Sequence, residues 1–206
     1  MLKRLFQLFM GTTLASFSIA CVVNSTLGAF PTTGANIAIG NWLGVSIGIS
    51  GFLVEVVILG ILLYLKEGVS VTGLVNMSLG SVLIDVFITL LPVNKLMVFG
   101  LLLSGFAWGL QGMAGLGETN NNLLMTAILK RTKMTVGQVK AIQEVIYLII
   151  ALLGARQYVS WFTILLSLGL GYLIEIEYKI MKYEPTKVKQ TFLIKGKERN
   201  LVKEGK

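Results

Sequence analysis

The sequence contains no histidine and a single cysteine, Cys21. The first absence removes the side chain most used for proton transfer near neutral pH and the commonest metal ligand. The second excludes an internal disulfide and a thiolate metal site. Charge is also scarce, at 14% of residues, against roughly 25% in soluble domains. No glycine-rich run leads into Lys-Ser or Lys-Thr, as a phosphate-binding loop would require, and no nucleophile–base pattern stands out. These absences point away from an enzyme and imply no cofactor and no metal.

What is present is apolar. Hydrophobic residues make up 54% of the chain, and they come in blocks long enough to cross a hydrocarbon core of about 30 Å. Six such blocks run at about Leu5–Thr26, Ser46–Leu65, Val71–Leu91, Leu96–Gly115, Val136–Gly154 and Ser160–Ile180. The chain reads as an all-α integral membrane protein. The first block, preceded by Lys3-Arg4, has the outline of a signal peptide. It continues past Cys21, however, and aligns with an internal segment, so a retained first helix is expected, with Cys21 as a small packing residue.

The chain also repeats itself. Leu27–Val56 and Leu116–Val145 align without a gap at an offset of 116 − 27 = 89 residues. Leu27/Leu116, Gly28/Gly117, Ala38/Ala127, Ile39/Ile128, Gly48/Gly137, Glu55/Glu144 and Val56/Val145 are identical. The same offset pairs Gly11 with Gly100, and Ser78-Leu79-Gly80 with Ser167-Leu168-Gly169. Shared hydrophobicity alone does not place Gly, Glu and Ser-Leu-Gly in register, so the pattern indicates an internal duplication. Repeat one covers about 5–91 and repeat two about 96–180, within one transmembrane domain, 1–180. A basic tail follows at 181–206.

Each repeat supplies three spans and one short segment, Pro31–Trp42 or Thr119–Leu129. Three is odd, so the second repeat enters the membrane in the opposite sense, the inverted-topology arrangement of many secondary transporters. Lysine and arginine placement agrees. With a cytoplasmic N-terminus, Lys3, Arg4, Lys66, Lys130, Arg131, Lys133, Lys140 and the tail fall inside, and only Lys95 and Arg156 outside. Both termini are then cytoplasmic, and the net charge of +8 suits anionic lipid headgroups at the C-terminal tail better than nucleic acid.

The short segments are either re-entrant half-helices or interfacial helices. Pro31 suits a first helical turn, which Thr32 and Thr33 can cap. Thr119, Asn120, Asn121 and Asn122 hold the matching place. A half-helix pointing its N-terminus inward presents free N–H groups and a positive dipole end. Gly28 and Gly117 permit a sharp turn before each; Gly48 and Gly137 are further repeated glycines expected to be structural.

Glu55 and Glu144 lie well inside spanning blocks, where a carboxylate must face the bundle interior, be paired or be protonated. They could serve a proton or cation relay, bind a ligand, or bond a facing helix. Lys140, one turn before Glu144, could neutralise it; Glu55 has Gly51 at the matching position. Gln143, Gln111, Asn76 and Ser78 could line the same interior, or join helices. Asp85 and Glu175 are expected at opposite surfaces. Trp42, Trp108 and Trp161 include interfacial anchors, and the Gly11/Ala15, Gly105/Gly109 and Gly169/Gly171 pairs suggest close helix packing.

Leu27-Gly28-x-x-Pro31, Ser46-Ile47-Gly48 and Glu55 together resemble the first half of the YczE-like (YczE/YyaS/YitT) bacterial membrane proteins. Gly115-Leu116-Gly117, Lys130-Arg131-Thr132-x-Met134-Thr135-Val136-Gly137 and Glu144 resemble their second half. The resemblance covers roughly residues 5–180. It implies a bacterial inner-membrane protein and the fold above, and little of function. It also implies a proline and an acidic residue after the glycine in each half. Here the second half reads Glu118-Thr119-Asn120 without proline, and the first has Thr33 in place of an acid.

The expected function is a small-solute transporter or permease, alternating access between two inverted halves, with a possible homodimer. Its candidate substrate or ion site comprises Pro31, Thr32, Thr33, Glu55, Asn120, Asn121, Asn122, Gln143 and Glu144. The alternatives are a substrate-capturing subunit of a multi-component importer and a non-transporting membrane accessory protein.

Overall fold

The computed structural model describes residues 1–25, 27–93 and 96–180. The basic tail and Lys95 lie outside the described residues. Eight helices form the described chain: α1 (Leu2–Asn24), α2 (Pro31–Leu43), α3 (Ile47–Tyr64), α4 (Val71–Leu90), α5 (Met97–Ala114), α6 (Asn120–Leu129), α7 (Val136–Gly154) and α8 (Trp161–Ile180). Five of them, α1, α3, α4, α5 and α7, are long and apolar enough to cross a membrane, which makes a multi-pass membrane protein. The helix α4 widens to a π-turn at Asn76–Gly80, and a single 3-10 turn, Arg156–Tyr158, separates α7 from α8.

The helix starts follow the repeat. Pro31 and Asn120 are 89 residues apart, as are Ile47 and Val136, while Val71 and Trp161 are 90 apart. Local chemistry sets these starts. Ser46 and Thr135 are N-caps whose hydroxyls accept from the N–H groups of Ile49 and Gln138, and Gln138 returns the bond to complete a capping box. At each of the matched turns before α2 and α6, a glycine has positive φ: Gly28 at 133° and Gly117 at 94°.

Helices α1 and α5 pack closely along their length. A Cβ on Gly11 would lie 2.8 Å from Gln111, and one on Gly100 would lie 2.9 Å from Val22 and 3.1 Å from Cys21. The two glycines are repeat partners, and Cys21 is the small, buried packing residue expected there. Hydroxyls of α1 tie it to both neighbours: Ser16 donates to the Gly80 carbonyl and Ser18 to the Gly100 carbonyl.

Each short helix packs on the third helix of the other half. Gly34, Ala38 and Trp42 of α2 lie against Ala151 and Gly154 of α7. Leu123 and Ala127 of α6 bury against Ile58 and Leu62 of α3. The turns before the short helices are pinned the same way. The Ala29 N–H donates to the Tyr158 carbonyl, and the Ala29 carbonyl accepts from Thr163. The Glu118 carbonyl accepts from Ser70, and Leu116 from the Thr72 N–H. The halves therefore interlock.

Several expectations change. Asp85 and Glu175 do not simply end helices at surfaces. The Asp85 carboxylate accepts from Ser46 Oγ at 2.5 Å and the Gly48 N–H at 2.7 Å, capping α3. Glu175 accepts from Thr135 Oγ1 at 2.8 Å and the Gly137 N–H at 2.9 Å, capping α7. These bonds are why Gly48 must be glycine, since a Cβ there would strike the Asp85 carboxyl and the Ser81 carbonyl. Gly105 and Gly109 meet nothing within 4 Å of where a Cβ would stand, so they mark no packing inside the chain. Trp42 and Trp161 sit at helix ends, but Trp108 stands within α5, against Phe30.

Candidate functional site

The site grows from the first turn of α6. Thr119 is extended and caps it, its Oγ1 accepting from the Asn122 N–H at 3.4 Å. The helix has ten residues, a length of about 15 Å or half a hydrocarbon core. Its C-terminal end lies beside the end of α3, where Arg131 donates to the Leu65 carbonyl. Its N-terminal end lies beside the middle of α3 and of α7, the positions of Glu55 and Gln143. It is a short helix whose start meets the middle of two longer ones.

Asn121 is the hub. Its Nδ2 donates to Glu55 Oε1 at 3.1 Å. Its Oδ1 accepts from Gln143 Nε2 at 2.9 Å and from the Tyr147 hydroxyl at 2.5 Å. Gln143 passes the network on, its Oε1 accepting from Lys140 Nζ at 3.4 Å. Lys140 forms an ion pair with Glu144 at 2.9 Å, one turn along the same helix. At 7% and 2% exposure, both partners are buried. Lys140 is therefore an interior residue and not part of a basic surface.

Beyond Asn121 the network ends on unsatisfied groups. Glu55 Oε2 is buried without a hydrogen-bond partner. Asn120 is fully buried. Its amide lies near the Glu55 carboxyl with its oxygen against Gly73 of α4, and neither of its polar atoms has a hydrogen-bond partner. A buried polar atom left unpaired costs on the order of 1–3 kcal/mol, so three on two neighbouring side chains are unusual.

The structure thus joins Glu55, Asn121, Gln143 and Glu144 in one network, with Asn120 beside it. Asn122 contributes its backbone to the cap. Pro31, Thr32 and Thr33 stand elsewhere, at the start of α2. Pro31 fills the first turn, but Phe30 is the N-cap and no side chain caps the helix, Thr32 and Thr33 included. No hydrogen bond among the described residues joins these three to Glu55. At the offset of 89, Thr32, Val54 and Ile58 stand where Asn121, Gln143 and Tyr147 do. The network is built in one copy only. Tyr147 was not legible as a member because a tyrosine in an apolar span reads as core.

Asn76 and Gln111 belong to a separate network. Thr12 donates to Asn76 Oδ1 at 2.9 Å, and the two amides exchange bonds of 3.2 and 3.0 Å. It joins α1, α5 and the π-turn of α4. Ser78 bonds the Leu74 carbonyl of its own helix.

The basic end of α6 is closed by charge. Glu67, between α3 and α4, meets Lys130 Nζ and Arg131 Nη1, each at 2.7 Å. Partial burial raises the Glu67 pKa, but its hydrogen bonds to Lys130 and Arg131 and their charges outweigh this and hold it below the ordinary glutamate range.

A family model matches residues 2–179, both halves of the repeat and every residue of the network. The chain belongs to the family of unknown function DUF6198. No curated protein and no solved structure matches it. Membership in the family brings no activity with it, so the site has to be read from its own chemistry.

Proposed function

We propose that the protein is a small-solute transporter, working by alternating access between two inverted halves around the Glu55–Asn121 network. The observation that carries this reading is the half-helix α6, whose N-terminus ends on a polar cluster midway along α3 and α7. Broken helices ending on polar side chains at mid-depth are how many transporters build a binding site in hydrocarbon. The interlocked repeat supports it. Each half grips the other through a short helix, so a rocking motion of one against the other changes access to what lies between them.

The proposal includes α8 as a sixth span, cytoplasmic termini, a homodimer, and anionic lipid at the basic tail. Kinship with the YczE-like proteins belongs to it too, resting on Gly28, Pro31, Gly48 and Glu55 and their second-half counterparts.

The test is solute flux in proteoliposomes containing the full chain. Wild type should move a solute, proton or cation down an imposed gradient, and Glu55→Gln should reduce that flux at least tenfold. If nothing moves under any gradient, the transporter reading fails. Co-purification with an ATPase and a coupling subunit would then favour an importer component.

A further inference from the structure

We propose that Glu55 takes up and releases one proton, while its repeat partner Glu144 is held in its pair with Lys140. The inference rests on the transporter reading only for its use, since the proton site stands on its own geometry.

Charge balance is the first argument. The network holds two carboxylates and one ammonium, and the 2.9 Å ion pair of Lys140 and Glu144 is buried and cancels itself. The other groups around Glu55, namely Asn120, Asn121, Gln143 and Tyr147, are uncharged. An ionised Glu55 is then offset by the Asn121 amide, by the dipole at the start of α6, worth about half a charge, and by the more distant Lys140 that is already paired with Glu144. A carboxylate so placed is costly to keep ionised and gains from one added positive charge.

The donors decide which charge. Hard metal cations take about six oxygens or more. Here Glu55 Oε1, Asn121 Oδ1 and Gln143 Oε1 already accept hydrogen bonds. One acceptor beside Glu55 remains without a donor, its own Oε2; the Asn120 oxygen lies against Gly73 of α4. One acceptor is too few for a metal cation, and among the described residues no three His, Cys, Asp or Glu gather to hold one. It is the right number for a proton. A proton on Oε2 removes the charge from the one Glu55 oxygen that has no hydrogen-bond partner.

The surroundings leave Glu55 as the group that switches. Among the helices packed on α3, α2 carries no ionisable residue. The titratable Asp85 of α4 is bonded at the start of α3, about two turns away. Helix α6 carries none, with Glu118 just before it. On α7 stand Lys140, Glu144 and Tyr147, the first two paired with each other and the third donating to Asn121.

The experiment is a pH titration of the full chain in lipid nanodiscs, followed by infrared absorption of protonated carboxyl groups. A band that grows as pH falls should be lost in Glu55→Gln and kept in the double variant Lys140→Gln/Glu144→Gln, with about one proton per chain involved. A band that persists in Glu55→Gln, or that disappears in the double variant, overturns the proposal. Should Glu55→Gln fail to fold, Glu55→Asp must move the band's pH midpoint, and an unmoved midpoint is equally fatal. Flux is measured on the same preparations. A Glu55 band without flux leaves the proton site standing and defeats the transporter reading; flux without the band does the reverse.

Discussion

Asn41 donates to the Gly154 carbonyl at 2.8 Å, and Arg131 donates to the Leu65 carbonyl at 2.6 Å. Gly154 and Leu65 are repeat partners, 89 residues apart. At each end of the molecule, the close of a third helix is thus held by the short helix of the other half. The two holds are unequal. Arg131 also binds Glu67 and the Ala127 carbonyl, and Lys130 adds a second bond to Glu67. At the other end the residue matching Glu67 is Arg156, and the residues matching Lys130 and Arg131 are Asn41 and Trp42.

The end closed by Arg131 should therefore be the harder to open. Arg131→Gln should lower stability by about 1–3 kcal/mol and Asn41→Ala by about 0.5–1.5 kcal/mol. Thermal unfolding in one detergent ranks them. Cysteine labelling near each end should show greater exposure at the basic end of Arg131→Gln only.

The same closure should weaken in acid. The Glu67 pKa is depressed in the folded chain below its ordinary 4.5, so its contribution is full above that value. It is lost as pH falls through the folded pKa, when the carboxyl protonates. The difference in unfolding temperature between wild type and Glu67→Gln should be constant near neutrality and should shrink as pH falls below 4.5. A difference unchanged in acid would contradict the assignment.

Lys140→Met alone should destabilise by about 3–5 kcal/mol, because it leaves Glu144 buried and unpaired. Lys140→Met/Glu144→Gln should recover most of that loss. Equal losses in the single and double variants would show that the lysine acts by packing.

Gly48→Ala should cost about 1–3 kcal/mol, since its Cβ would stand 2.6 Å from Asp85 Oδ2 and force α3 and α4 apart. Gly60→Ala, on the same helix with nothing within 4 Å, should be neutral or gain up to about 1 kcal/mol. Thermal unfolding of the two side by side separates packing from helix propensity.

The features legible in the sequence were those written locally or by repetition. Offset, helix starts, turn glycines and the Lys140–Glu144 pair are of this kind. What escaped depends on partners far along the chain. Asn121 and Glu55 are 66 residues apart, and Asp85 and Gly48 are 37. No periodicity encodes such meetings. The two capping carboxylates had a signal, Ser46-x-Gly48 and Thr135-x-Gly137 each awaiting an acid. Asp85 and Glu175 are 90 residues apart, however, so an alignment at 89 sets Ile174 opposite Asp85 and hides the match. Thr32 and Thr33 looked like caps because their chemistry suits the role, but the chain enters α2 before them, with Phe30 as the N-cap and Pro31 in the first turn.

The pinning of Ala29 sets an order of assembly. Its carbonyl waits for Thr163, which is 134 residues further on, and its N–H waits for the Tyr158 carbonyl. During synthesis the segment from 27 to 43 has no finished seat until nearly the whole bundle has been made. The first half is therefore not a folding unit. Interrupting translation before residue 158 should leave a chain whose second helix is open to protease, and supplying the missing half in trans should close it.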